Sequence, residues 1–123
     1  MKSSDKKEYR LVCMDLDGTL LDENHRINDF TLEVLREVEK KGVILAISTG
    51  RDGFDAKHHA SYISKNSYFI GANGTVVGKV GQSELIAENP MDSKLAARLL
   101  LYAKENRIKT VISTTDRMIM YGL

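Results

Sequence analysis

Two short apolar runs, residues 9–14 and 43–47, bracket a stretch with helical periodicity, and that arrangement leaves few folds open. Each run is nearly free of charge, the pattern of a strand covered on both faces of a parallel sheet. Between them a helix is predicted to begin at Asn28 or Asp29, whose side chains can cap the first free N–H groups. Ile27, Phe30, Val34, Leu35 and Val38 then share an inner face, and the charges of residues 33–41 take the solvent side. Lys40, Lys41 and Gly42 mark the stop. Strand, helix and strand in that order make a βαβ unit, with parallel pairing and a right-handed crossover.

A parallel sheet gathers its loops at the carboxyl ends of its strands, where open α/β sheets bind ligands. There the first run passes into Asp15-Leu16-Asp17-Gly18-Thr19 and the second into Ser48-Thr49-Gly50-Arg51. Alternation along the chain sends Asp15 and Asp17 one way and Leu16 another. Two carboxylates this close repel each other unless a cation or a shared proton relieves them. Magnesium, a hard ion that prefers oxygen, is the natural relief. Gly18 permits a sharp turn and leaves room for a bulky anion. Thr49, with the backbone around Gly50, can hold phosphate oxygens without adding charge. Taken singly, Asp-x-Asp-Gly is a common turn, and Ser-Thr-Gly is an ordinary strand-to-helix junction with Thr49 as the cap. At neighbouring strand ends the two together point to one site.

Downstream, residues 52–67 hold a weakly patterned helix, and residues 68–71 form a third short strand closing at Ala72-Asn73-Gly74. Residues 75–80 and 84–87, split by Gly81-Gln82, read as a hairpin. Pro90 then opens a helix over 92–106 with Leu95, Leu99, Leu100 and Ala103 inward. Strands over 108–113 and 118–121 flank a turn at Thr115, Asp116 and Arg117, and Met118 and Met120 belong to that unit's interior. The expected organisation is a flexible tail over 1–8, an α/β core over 9–84 and the start of an α+β unit over 85–123.

Lys and Arg total 18 against 17 acids, so charge gives no support to a nucleic-acid partner or an anionic membrane. No apolar stretch approaches a membrane span or a signal peptide. The single Cys13 sits among Leu11, Val12 and Met14 and is expected to be a buried strand residue in a reducing, cytoplasmic protein. His58 and His59 are expected to be a surface pair, because adjacent helical residues diverge by about 100° and rarely converge on one ion.

Asp15-Leu16-Asp17-Gly18-Thr19-Leu20-Leu21 resembles the first motif of the haloacid dehalogenase superfamily, and Ser48-Thr49-Gly50-Arg51 resembles its second. Asn73-Gly74 is similar to the Asn-Gly of the Cof-type branch, which carries its cap after the second motif. The resemblance implies a Rossmann-like core and a magnesium-dependent phosphatase acting on small phosphorylated metabolites, sugar phosphates or similar. It casts Asp15 as the nucleophile that forms an aspartyl-phosphate and Asp17 as the acid and base, with Asp15 and Asp17 both holding the metal. Thr49, Gly50 and Gly18 would surround the phosphoryl group, and Arg51 and Asn73 would face the substrate. The family pattern also calls for a later Lys or Arg and a Gly-Asp-x-x-x-Asp, and no Gly-Asp occurs in this sequence. The chain is therefore expected to be the front part of such an enzyme and inactive alone. The alternatives are a phosphomutase of the same superfamily and a truncated binding or regulatory module that keeps the fold without turnover.

Overall fold

The computed structural model describes residues 8–115 and 117–122. The tail expected over residues 1–8, apart from Glu8, and Asp116 of the expected turn lie outside the described residues. Strand β1 (Leu11–Met14) pairs in parallel with β2 (Ile44–Ser48), and β2 pairs in parallel with β3 (Tyr68–Gly71). The chain then reverses, and β4 (Val76–Lys79) and β5 (Ala87–Glu88) complete an antiparallel edge in the order β1-β2-β3-β4-β5. The expected α/β class with a parallel sheet is borne out.

Helix α1 (Asp29–Lys40) starts where Asn28 accepts the Thr31 N–H at 2.8 Å, and Gly42, at φ +83, lies just past its end. Helix α2 (Gly53–Ile63) is capped by Asp52, which accepts the Asp55 N–H at 2.8 Å. Both helices lie on one face of the sheet. Their Leu35, Ala56, Ala60 and Ile63 form one buried cluster with Leu45, Ile47 and Phe69. Strand alternation sends Val12 and Met14 into this cluster, and Leu11 and Cys13 to the opposite face.

No described helix covers that opposite face, which corrects two expectations. Leu11 and Ile44 are about half exposed, and Cys13 is exposed rather than buried, so β1 is not covered on both faces. The inner face of α1 keeps Ile27, Leu35 and Val38 as expected but takes Leu32 in place of Phe30 and Val34. Leu32, Leu35 and Val38 pack inward while Phe30 and Val34 are exposed. Packing against the sheet and α2 decides which face turns inward, and that face carries Leu32 rather than Val34.

Beyond β5, α3 (Ser93–Glu105) is capped by Asp92, not opened directly at Pro90. Strands β6 (Thr110–Ser113) and β7 (Met118–Tyr121) form a separate two-stranded ladder, closed by the Thr114 N–H donating to the Arg117 carbonyl at 2.8 Å. Of the four residues expected inward on α3, Ala103 is buried and Leu100 partly so, whereas Leu95 and Leu99 are about half exposed. Met118 and Met120 are exposed as well, since two strands and one helix provide too little surface to enclose them.

The start of α2 is pressed directly onto the end of β3. A Cβ added at Gly71 would stand 2.9 Å from the Gly53 Cα and 3.2 Å from the Asp52 carbonyl carbon. These are backbone atoms that a rotamer change cannot move. Gly71→Ala is therefore expected to destabilise the fold by about 1–3 kcal/mol, the usual cost of overpacking. Urea unfolding checks this, and an unchanged midpoint would mean that α2 does not begin against β3.

Candidate active site

Asp15 leaves β1 in an extended conformation, and the chain then folds into a wide turn over Leu16–Leu20. The Leu21 N–H closes the turn on the Leu16 carbonyl at 3.0 Å. Leu16 is fully buried in the core, whereas Asp15, Asp17 and Gly18 are exposed. The buried leucine thus fixes two carboxylates that face outward on either side of it. Gly18 adopts φ +76, which an L side chain rarely takes, so the turn requires glycine there.

The second loop is tied to the third. Thr49 N–H donates to the Ile70 carbonyl at 2.9 Å, Asn73 N–H to the Thr49 carbonyl at 3.2 Å, and Ala72 N–H to the Arg51 carbonyl. The Asn73 amide oxygen lies 2.9 Å from where a Gly50 Cβ would be, so these two residues meet at one edge. Thr49 is buried, and its hydroxyl oxygen accepts the Arg51 N–H at 3.1 Å while its proton stays available to donate. It does not cap α2; Asp52 does.

Arg51 joins the first loop to the second. Its Nε and Nη2 donate to the two carboxylate oxygens of Asp17 at 2.8 and 2.6 Å, a bidentate pair across 34 residues of sequence. Its Nη1 donates to Asp55 Oδ2 at 2.7 Å. His59 Nδ1 lies 2.9 Å from the Asp55 carbonyl oxygen and 3.5 Å from its carboxylate. His59 is thus mostly buried beside Asp55, while His58 is exposed, so the expected surface pair holds only for His58. The Arg51 hydrogen bonds hold the Asp17 carboxyl below its ordinary value, against the opposing effect of desolvation. Arg51 is correspondingly raised, through its bonds to Asp17 and then Asp55.

Among the residues expected at the site, Asp17 and Arg51 are in contact, and so are the Thr49, Gly50 and Asn73 segments. Asp15 makes no described hydrogen bond. Asp52 and Asp55 were not foreseen, although spacing could have found them. Asp52 with an acid three residues on has the form of a cap with a negative first turn. Arg51–Asp55, across the start of α2, and Asp55–His59, within it, are i, i+4 neighbours.

No three His, Cys, Asp or Glu side chains gather as metal ligands among the described residues. The Asp15 carboxylate is nonetheless an exposed oxygen donor, and a magnesium ion completes a partial protein set with water and phosphate oxygens. The donor chemistry present therefore fits a hard cation. A cleft of about 580 Å³ opens beside the site, lined by Gly50 and Asn73 on one side and by Ala96, Leu99 and Val111 on the other. No described helix is long and apolar enough to cross a membrane.

A parallel sheet with an Asp-x-Asp turn ending its first strand and a Ser-Thr-Gly loop ending its second defines an α/β core with both loops at one edge. The sequence matches the haloacid dehalogenase-like hydrolase family over residues 12–123, and the chain belongs to that family. The HMP-PP phosphatase of Yersinia enterocolitica is 45% identical over 69 residues, which are 56% of this chain and 25% of that protein. A haloacid dehalogenase-like hydrolase from B. subtilis superposes with a TM-score of 0.73 at 28% identity, over 84% of this chain and 36% of its own. Another from Bacteroides thetaiotaomicron reaches 0.81 at 22% identity, over 92% of this chain and 44% of its own, and speaks for the fold alone. The stretch matched to the curated relative thus spans a quarter of that relative's length.

Replacing Arg51 with Gln is expected to raise the Asp17 pKa toward the ordinary carboxylate value, because the main cause of its depression is removed. A depressed carboxyl adds stability above its unfolded pKa and loses it as pH falls through the folded value. Acidification should therefore cost the wild type this contribution, and the variant less of it. A ¹³C carboxyl titration of Asp17 measures the shift; an unmoved value in Arg51→Gln would show that the pair does not form in solution.

Proposed function

We propose that the protein is a magnesium-dependent cytoplasmic phosphatase that acts on small phosphorylated metabolites through an aspartyl-phosphate on Asp15. The observation that carries this reading is the bidentate Arg51–Asp17 contact, which locks the first and second loops together beside the exposed Asp15. The relatedness to HMP-PP phosphatases supports a phosphorylated metabolite as substrate.

Each residue has a distinct part in the chemistry. An Asp15 carboxylate oxygen attacks phosphorus in line, and the bond from phosphorus to the leaving oxygen breaks. Asp17 gives that oxygen its proton. In the second step Asp17 takes a proton from water, the water oxygen bonds to phosphorus, and the Asp15–phosphorus bond breaks. Thr49 and the backbone at Gly50 hold the remaining phosphoryl oxygens, and Gly18 leaves the space they occupy. The Asp15 carboxylate and the Asp17 backbone carbonyl would hold magnesium, which when bound offsets the negative charge of the nucleophile and the phosphoryl group.

Asp17 can act as an acid only when it carries a proton, whereas Arg51 favours its charged form. An arriving phosphoryl group offers Arg51 a stronger bidentate partner. In this reading Arg51 turns from Asp17 toward the substrate, and the acid is released only once the substrate is present. Asn73, beside Gly50, lines the same edge.

In the protein that carries these residues, Asp15→Asn should lower magnesium-dependent phosphate release by several orders of magnitude while leaving the far-ultraviolet circular dichroism unchanged, since shape is kept and the nucleophile lost. Undiminished release would sink the assignment. Residues 1–123 on their own contain no Gly-Asp and should show at most trace turnover. A robust rate that Asp15→Asn removes would show that these residues need no further charged groups.

A further inference from the structure

Arg51 has a second neighbourhood on the side away from the Gly50–Asn73 edge. A basin of about 610 Å³ lies between the turn that comes after β1, the start of α1 and the outer face of α2. Its polar wall consists of His25, Arg26, Arg51, Asp55, His58 and His59, over a floor of Ile27, Leu32 and Tyr62. Three histidines and two arginines line it with a single aspartate. None of His25, Arg26 or His58 has a part in the chemistry described above.

The charges already paired can be set aside. Arg51 is committed to Asp17 and Asp55, and His59 Nδ1 to Asp55. Arg26, His25 and His58 line the basin with no side-chain hydrogen bond or ion pair described for them. A neutral imidazole still offers one N–H, so the wall supplies donors whatever its protonation state. The turn holds the first two residues firmly. The Asp22 carboxylate accepts the Asn24 and Arg26 N–H groups at 2.8 and 3.0 Å, and the Asp22 N–H donates to the Arg26 carbonyl at 2.9 Å. On α2 the His58 ring is set edge-on to Tyr62, 5.0 Å between centroids. Arg51 belongs both to this wall and to the bidentate contact with Asp17 at 2.8 and 2.6 Å. The basin therefore begins one guanidinium away from the acid–base aspartate.

We propose that this basin is a second anion site, which takes an anionic group of the substrate other than the phosphoryl group transferred at Asp15. On that account, which rests on the phosphatase reading above, the substrate class is a phosphate ester or anhydride bearing a further phosphate or carboxylate. Arg26 and the His25 and His58 imidazoles hold that group, and Arg51 lies between the two anions. A substrate with a single phosphoryl group would leave the basin to water.

The test is a titration of the full chain with inorganic phosphate and with pyrophosphate, followed through the histidine ring ¹H–¹⁵N signals. Metal-free buffer of low ionic strength suits it, since the uncompensated acids then repel anions from Asp15 while the basin remains attractive. The His25 and His58 signals should shift saturably, and Arg26→Gln should weaken pyrophosphate binding roughly ten-fold, the worth of one charge-assisted contact. Arg26→Lys, which keeps the charge, should retain most of the affinity and so separate a lost charge from a damaged fold. Unmoved His25 and His58 rings, or equal affinity in Arg26→Gln, would overturn the anion site. Phosphate release with magnesium is measured separately on wild type and Asp15→Asn. Turnover lost in Asp15→Asn alongside unmoved histidines would remove the anion site and keep the phosphatase. Saturable histidine shifts, with no magnesium-dependent turnover even by the longer protein that carries these residues, would remove the phosphatase and keep a site for anions.

Discussion

The parallel pairing of β1, β2 and β3 is the constraint on which everything else rests. Its register sets Met14 opposite Ile47, and Ser48 opposite Ile70. Because parallel strands in one register end level, the residues next in the chain, Asp15, Thr49 and Ala72, emerge at one edge without any need for long loops. An antiparallel arrangement of the same strands would put the Asp15 loop and the Thr49 loop at opposite ends of the sheet. The crossover through α1 is what makes the parallel arrangement possible.

Packing then converts that adjacency into contact. Leu16 is driven into the core beneath the turn, so its two acidic neighbours have no choice but to face solvent. The approach of α2 to the end of β3 at Gly71 and Gly53 brings the first turn of the helix to the same edge, and with it Arg51 and Asp55. Arg51 can satisfy both acids because its planar guanidinium presents donors on two sides, which a lysine could not do. The result is a line of charges that runs from the half-exposed Asp17 through Arg51 to Asp55 and the mostly buried His59. The two ends differ most in burial, so the rigid end is on α2 at His59 and the adaptable end at Asp17.

The unevenness of burial comes from the same architecture. One face of the sheet carries two helices and a contiguous core, while Leu11, Cys13 and Ile44 on the other remain exposed. β1, at the end of the strand order, has a neighbour on one side only. The unit beyond β5 shows the same feature more strongly, with Leu95, Leu99, Met118 and Met120 all exposed. Strand or helix spacing of apolar residues says only that a face is apolar, not that anything lies over it.

By itself the sequence determined the order and type of the elements. The apolar runs, Asn28 and Gly42 specify β1, α1 and β2 through local physics, namely alternation, capping and backbone freedom. The Asp15, Asp17, Thr49 and Gly50 cluster was legible for the same reason, because strand ends in a βαβ unit converge wherever the unit forms. Which side chains would meet across that edge was decided only by the tertiary structure. The phase of α1, the exposure of Cys13, the replacement of Thr49 by Asp52 as the cap of α2, and above all the clasp of Arg51 on Asp17 depend on distances between segments far apart in the chain. Local preferences do not encode those distances. They are set by how closely helix and sheet can pack.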